Sequence, residues 1–351
     1  MKRNALYKKI RCHALVVLFV SPFISFVTTL SDTVKDTIPP VIYTDLKSVM
    51  VTDTNLFFSG EAFDDGGVAQ LFVNQHPLEI RAGKHVFFNH LLTLNEGENT
   101  VLVKAVDRGG NEMQLSPVKI TKKTFDLPET DSRYTVALLP IKTVAGQSIP
   151  TEAIYSLFIK AFDEKPKRFH FVERDLARLE EILREQKISN TSIVSPDTAI
   201  KLGKIVAADG IFVGTADEDA NGISITLRLI DTETARIRAS ARVYDEDKSI
   251  TNLEWLIYGL SLKIKRQFPM VQGNVTRVSD GGFYVDAGSA KGIEVGMKLL
   301  LFREIREGNF VVKEPLDAVA RVVRVQPRTA FVEICGECPT QVKKKDLAIT
   351  K

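Results

Sequence analysis

Cysteine is scarce, with three residues in 351, and the scarcity decides how they read. Cys335 and Cys338 frame a Cys-x-x-Cys, yet no second Cys or His pair lies near enough in sequence to complete four zinc ligands. Pro339 follows directly and no helix start is in view, so the thioredoxin-like setting is missing too. In an oxidising compartment the pair is expected to close a local disulfide that stiffens a loop. Histidine is almost as rare: five in all, none beyond His170. His76, His85 and His90 lack the i, i+4 helical spacing that sets a metal geometry. No Gly-x-Ser-x-Gly elbow occurs and no Gly-x-x-x-x-Gly-Lys-Ser/Thr loop occurs, which removes the common hydrolase and phosphate-binding signatures. Charge of one sign is lacking as well. The 47 basic and 44 acidic residues leave a net +3, too weak a field to imply nucleic acid. No catalytic, cofactor-binding or metal-binding residue is expected.

The charge that exists is unevenly placed. Residues 1–30 carry Lys2, Arg3, Lys8, Lys9 and Arg11 and no acid, followed by the apolar run ALVVLFVSPFISFV at 14–27. A basic start before an apolar run is the order that export machinery reads, so an exported protein of the periplasm or of the periplasmic face of a membrane is expected. No Ala-x-Ala site follows, and 14–30 is near the minimum length for a bilayer span, so a signal peptide and an N-terminal anchor both stay open. Ser21, Pro22 and Ser25 weigh against the anchor. Cys12 precedes the apolar run, the wrong order for a lipoprotein signal. Beyond the leader the net charge is −6 over 31–132, +1 over 133–269 and +3 over 270–351, which suggests pairing of the first and last parts between subunits.

A chain of this length exceeds one compact domain, and its patterning changes twice. Over 37–123, short alternating runs at 56–59, 69–73, 86–91 and 100–106 are separated by Asp, Asn and Gly clusters, as in an antiparallel β-sandwich. Asp64, Asp65 and Asp107 sit in those clusters, where turn formation explains them more simply than calcium. A polar linker, 124–133, follows. Over 134–268 a buried strand at 136–139 gives way to helices at 151–162, 174–187 and from Ser195, with strands at 169–172 and 210–214. Two alternating strands, 223–230 and 235–244, form a hairpin. One face is expected to carry Ile223, Ile225, Leu227, Leu229, Ile237, Ala239, Ala241 and Val243, and the other Arg228, Arg236, Arg238 and Arg242, a candidate partner-binding face. An amphipathic helix over 251–268 completes a mixed α/β sheet covered by helices. From 270 to 351, five short strands with glycine-rich corners predict a small, SH3-like β-barrel. Glu180-Glu181 and 217–219 read as solvated acidic surface.

The words PPVI, SGEAFDDGGVAQLFVN and LNEGENTVLVKAVDRGGNE within 37–123 resemble bacterial immunoglobulin-like modules of envelope proteins and of secreted carbohydrate enzymes. VALLP at 136–140, FVERDLARLEEILREQKIS at 171–189, AIKLGKIVAADGIFVGT at 199–215 and LRLIDTETARI at 227–237 resemble the CsgG/TolB-N family of envelope α/β domains, which includes the FlgO and FlgT flagellar assembly proteins. GNVTRVSDGGFYVDAGSAKGIEVGMKLLLF at 273–302 resembles the small barrel at the carboxyl end of FlgT-type proteins. These resemblances imply envelope assembly, secretion support or partner activation, with envelope proteins or further copies of the chain as partners and no catalytic residues to carry over. A carbohydrate- or peptidoglycan-binding accessory role is the alternative that the immunoglobulin-like module suggests. A secretion pore is less favoured: only the 223–244 hairpin alternates well enough, and its apolar face is needed to cover helices.

Overall fold

The computed structural model describes residues 36–125, 133–144, 150–163, 168–173, 177, 181, 203–308, 310–336 and 340–351. The leader at 1–30, most of the linker, most of the helices expected at 174–187 and from Ser195, and Cys338 lie outside the described residues. Among the described residues no helix is long and apolar enough to cross a membrane.

Alternation builds the first part as two facing sheets. Strands β1 (Val41–Thr44), β3 (Asn55–Val73), β4 (His76–Pro77), β5 (Gly83–Thr93), β7 (Val103–Asp107) and β8 (Glu112–Gln114) form one sheet around β3. Strands β2 (Val49–Val51), β9 (Val118–Lys122) and β6 (Gly97–Val101) form the other. Phe58, Leu71, Val103 and Ile120 fill the space between them. The runs at 56–59 and 69–73 are one strand of 19 residues, not two. Its register shifts between Phe63 and Val68, where the Gly67 N–H donates to Asp64 Oδ1 at 2.7 Å and Gly67 takes φ +105°. The bulge bends the strand without ending it. The run at 100–106 divides at Leu102, whose N–H donates to Asn74 Oδ1 (2.9 Å), and its halves join different sheets.

The middle part holds β10 (Tyr134–Leu138), β11 (Lys142–Val144), α1 (Thr151–Phe162), β12 (Phe169–Glu173), β13 (Gly210–Glu218), β14 (Ile223–Asp231), β15 (Ile237–Asp245) and α2 (Ile250–Lys265). The sheet order is β12-β10-β13-β14-β15. Strands β12, β10 and β13 run parallel, and the last three antiparallel. Helices α1 and α2 cover one face through Phe158, Phe162, Leu256 and Leu260, which pack on Phe212, Leu227 and Leu229. Ala137, Leu139, Ile211 and Ile230 are buried on the other, which is why Val136 to Leu139 reads as an unbroken apolar run. Ile237 departs from the expected pattern. The register slips between Leu229 and Ile230, so Ile237 pairs with Ile230 and is 57% exposed instead of joining the covered face.

The last part closes on itself. Strands β16 (Gln272–Ser279), β17 (Gly282–Val285), β18 (Lys298–Glu307), β19 (Phe310–Val325), β20 (Ala330–Cys335) and β21 (Leu347–Thr350) form a closed barrel in the order β16-β17-β20-β19-β18-β21. Six strands replace the five expected. The sixth, β21, pairs with both β16 and β18 and is the piece that closes the ring.

From Thr37 to Lys351 the chain packs as one compact unit, and a single aromatic side chain does much of the joining. Strand β3 points Phe58 into the sandwich, but alternation sends its neighbour Phe57 the other way, into the core of the mixed sheet. Phe57 is fully buried and meets Trp255 edge-on at 5.0 Å. Gly259 of α2 makes the space, since a Cβ there would lie 2.4 Å from the Phe57 ring. Truncation by Phe57→Ala is expected to cost about 3–5 kcal/mol in urea unfolding. A loss below about 1 kcal/mol would show that the two cores do not depend on this ring.

Candidate functional site

Local pairing separates the four arginines of the hairpin. Arg228 faces Ser240 and Arg242 faces Thr226 across β14 and β15, so these two are neighbours on the exposed face of the sheet. Arg242 Nε donates to Ser224 Oγ at 2.7 Å, which orients the side chain along the strand. Arg236 is exposed in the turn, where its carbonyl accepts from the Asp231 N–H (2.9 Å). Arg238 is half-buried at the register slip and lies close enough to oppose the pKa rise of the Tyr134 hydroxyl, a rise caused first by burial and then by Asp231. The geometry thus brings Arg228 and Arg242 together and sets Arg236 and Arg238 apart at the turn.

The outer edge of β15 is not open for pairing along its length. Gln267 closes a two-bond clamp on Ser240, with Oε1 accepting from the N–H (3.1 Å) and Nε2 donating to the carbonyl (2.9 Å). Lys263 Nζ donates to the Arg242 carbonyl (3.0 Å), and Asn89 Nδ2 to the Tyr244 carbonyl (2.8 Å). Side chains from α2, its C-terminal extension and the sandwich satisfy an edge that would otherwise template aggregation.

Two ionic joints hold the three parts in register. In the first, Arg168 is 4% exposed. Its Nη1 donates to the Lys265 carbonyl (3.2 Å) and to that of Phe268, and its Nη2 to Asp53 Oδ2 (3.1 Å) and Thr52 Oγ1. Lys263 extends this joint, with Nζ 2.9 Å from Asp45 Oδ2 and 2.6 Å from Ser59 Oγ, while Arg266 approaches the same carboxylate at 3.4 Å. Burial pulls the Lys263 pKa below its ordinary value, with Asp45 opposing and Arg266 assisting. In the second joint Asp209 receives Lys351 Nζ at 2.7 Å and Lys298 Nζ at 3.6 Å, while Thr135 donates to the same carboxylate from N–H (2.9 Å) and Oγ1 (2.7 Å). Glu233 adds Arg321 (2.5 Å) and Lys298 (3.2 Å). The basic barrel therefore meets acids of the middle part within one chain. No motif in the sequence marks these residues. The available signal was Lys263, which falls three residues after Leu260 on the apolar stripe of α2, where a cation needs a buried partner.

A cleft of about 370 Å³ opens between the sandwich and the end of β15. Ile80, Phe87, Tyr244 and Trp255 supply apolar wall, and Glu79, Asp245, Glu246 and Asp247 stand around it with Arg81 as the one cation of the lining. The Phe87 and Tyr244 rings meet at 4.5 Å. Asp245 and Asp247 are tied to the turn by the N–H groups of Asp247 and Ser249.

Cys335 is exposed at the end of β20, and its expected partner lies outside the described residues. Asp107 accepts from Asn111 N–H and Nδ2 (2.8 and 2.7 Å), and its carboxylate lies within 4.8 Å of those of Asp36 and Asp64. His85 lies 3.0 Å from Glu61 and stacks on Phe63 at 3.9 Å.

No protein-family model matches the chain, and no curated protein matches it. Solved structures give weak likenesses. The LpoB C-terminal domain from Escherichia coli is 16% identical, with 33% of this chain and 87% of that one covered at a TM-score of 0.27. A PelC dodecamer from Paraburkholderia phytofirmans is 12% identical, with 39% and 91% covered at 0.26. TolB from Acinetobacter baumannii is 9% identical, with 61% and 51% covered at 0.25. At these scores the likeness carries no argument about fold or function.

Removing the carboxylate by Asp53→Ala leaves a guanidinium buried without its counter-ion and is expected to cost about 3–5 kcal/mol in urea unfolding. The second joint is expected to fade in acid. Burial raises the Asp209 pKa, but the bonds from Lys351 and Thr135 outweigh it and leave the value below that of an ordinary aspartate. A depressed carboxylate contributes stability above its unfolded pKa, about 4, and loses it as pH falls through the lower folded value. Lys351→Met should therefore cost about 1–3 kcal/mol at neutral pH, and the difference from the parent should shrink below about pH 4. A difference that stays constant between neutral and acid unfolding curves would remove Asp209 from the joint.

Proposed function

We propose that the chain is a non-enzymatic assembly protein of the bacterial envelope, a rigid scaffold that binds protein partners on the periplasmic side. On this reading 37–123 is an immunoglobulin-like sandwich, 134–268 a CsgG/TolB-N/FlgO-like α/β domain and 270–351 a small SH3-like barrel, preceded by an export signal or anchor.

One observation carries the reading. Among the described ion pairs, the two with both side chains no more than 15% exposed, Arg168–Asp53 and Lys351–Asp209, each bridge two of these parts. Buried charge is costly, and here it is committed to fixing relative positions. The exposed Arg228 and Arg242 then sit on a frame that these pairs hold in place, as a recognition surface requires. Their cationic, planar groups suit carboxylate-bearing protein surfaces. A homo-oligomer uses the same surface when the acidic face belongs to a second copy.

The test uses the full-length chain in its native envelope with a photo-crosslinker placed at Thr226, between the two arginines. A discrete crosslinked species, either a second copy or one envelope protein, is expected. It should disappear in the Arg228→Glu/Arg242→Glu double variant, whose unfolding free energy in urea stays within about 0.5 kcal/mol of the parent. No crosslink, together with a strictly monomeric mass, would sink the proposal. Crosslinks indifferent to the double reversal would move the surface elsewhere.

A further inference from the structure

The cleft beside the sandwich has an unusual floor. Asp45 N–H donates to the Ser59 carbonyl (3.1 Å), and Ser59 N–H donates to Asp45 Oδ1 (3.0 Å), so the main chain of Ser59 faces β1. Ser59 stands opposite Asn89 in the β3–β5 ladder. In an antiparallel pair, positions that exchange main-chain bonds alternate with positions that do not, so Asn89 and, two residues earlier, Phe87 aim N–H and C=O away from β3. The far end of the ladder gives the same parity, because Leu94 N–H donates to Thr54 O (2.8 Å), which makes 93, 91, 89 and 87 the outward positions. Phe87 and Asn89 line the cleft. On that outward side no described strand pairs with β5, whose one ladder partner is β3. An unpaired strand edge inside a cleft differs from one on open surface, since an incoming chain is both hydrogen-bonded and enclosed.

The rim decides what fits. Four carboxylates, those of Glu79, Asp245, Glu246 and Asp247, face one guanidinium, Arg81, which is exposed and already 3.7 Å from Glu246. Phe87, Tyr244 and Trp255 add ring faces and edges that attract cations and cover aliphatic stems. We infer that this cleft binds an extended, lysine- or arginine-bearing segment of a partner protein, which adds as a strand to the free edge of β5. Main-chain bonds to Phe87 and Asn89 supply affinity, and alternate side chains reach the acidic rim and the aromatic wall. The inference rests on the partner-binding reading above and locates a second contact, separate from the arginine face.

The probe is a short fluorescein-labelled peptide of alternating lysine and valine, titrated with the full-length protein and followed by anisotropy at low salt. Saturable binding is expected. Glutamate in place of lysine, or N-methylation of alternate amides to remove the strand-pairing donors, should each weaken it by about tenfold or more, roughly 1.4 kcal/mol. The Glu79→Lys/Glu246→Lys variant, changed only at exposed positions, should lose binding by a similar factor while its urea midpoint holds. Absence of saturable binding overturns the inference, and so does binding indifferent to N-methylation or to the charge reversal. If the peptide fails while the Arg228- and Arg242-dependent crosslink persists, the scaffold reading stands and this site alone falls.

Discussion

A guanidinium held out of water organises the molecule. Arg168 sits where three sources of negative potential converge: the carbonyls of Lys265 and Phe268 at and beyond the end of α2, the hydroxyl of Thr52 and the carboxylate of Asp53. The end of a helix presents carbonyls without intrahelical partners and the negative pole of its dipole, so a cation there answers a need that the helix creates for itself. A planar group with several donors in a fixed fork serves a helix end and an acid from the β2–β3 turn together. Phe57 and Gly259 contribute the burial, and burial is indifferent to small rotations. Arg168 is not indifferent, because its bonds are made in one docking pose. The sandwich and the mixed sheet therefore share a register and not merely a contact.

The same economy shapes the strand edges. The barrel removes its edges by closure, and β21 is what permits that closure. The mixed sheet ends at β15, where Gln267, Lys263 and Asn89 occupy outward groups in succession. Two of these three, Gln267 and Lys263, come from the end of α2 that Arg168 fixes, so one joint both docks the sandwich and blunts the sheet. Against such coverage, the bare outward groups of Phe87 and Asn89 read as a retained feature and not as an oversight.

How much of this was legible depends on whether the information is local. The strands of the sandwich and the hairpin show in alternation, α1 shows in its apolar stripe, and the continuous run at 136–139 announces a strand covered on both faces. What escaped was long-range. That β3 runs unbroken through Asp64 to Gly67 follows from a bulge whose geometry is set by the strand opposite. Ile237 fell on the wrong face because a single-residue register slip inverts everything beyond it. Strand β21 is only four residues long and follows a run of lysines, and its two neighbours alone make it a strand. The joints were hidden for the same reason, since Arg168 and Asp53 are 115 residues apart. Lys263, a cation among leucines, was the one local sign that such a joint existed.

Charge counted by segment suggested that the acidic first part and the basic last part would meet between subunits. In the folded chain a few charges of each part pair with the middle one. Asp45 and Asp53 are matched by Lys263, Arg266 and Arg168, and the barrel's Lys298, Arg321 and Lys351 are matched by Asp209 and Glu233. Exposed charge of both signs flanks β15, with Arg228 and Arg242 on the outer face of the β14–β15 hairpin and Glu79 and Glu246 beside the end of β15. On the proposed reading β15 contributes to both sites, so an occupant of one would be held by the strand that shapes the other. On that same reading the arrangement suits two partners bound in a fixed relative orientation better than one partner bound tightly.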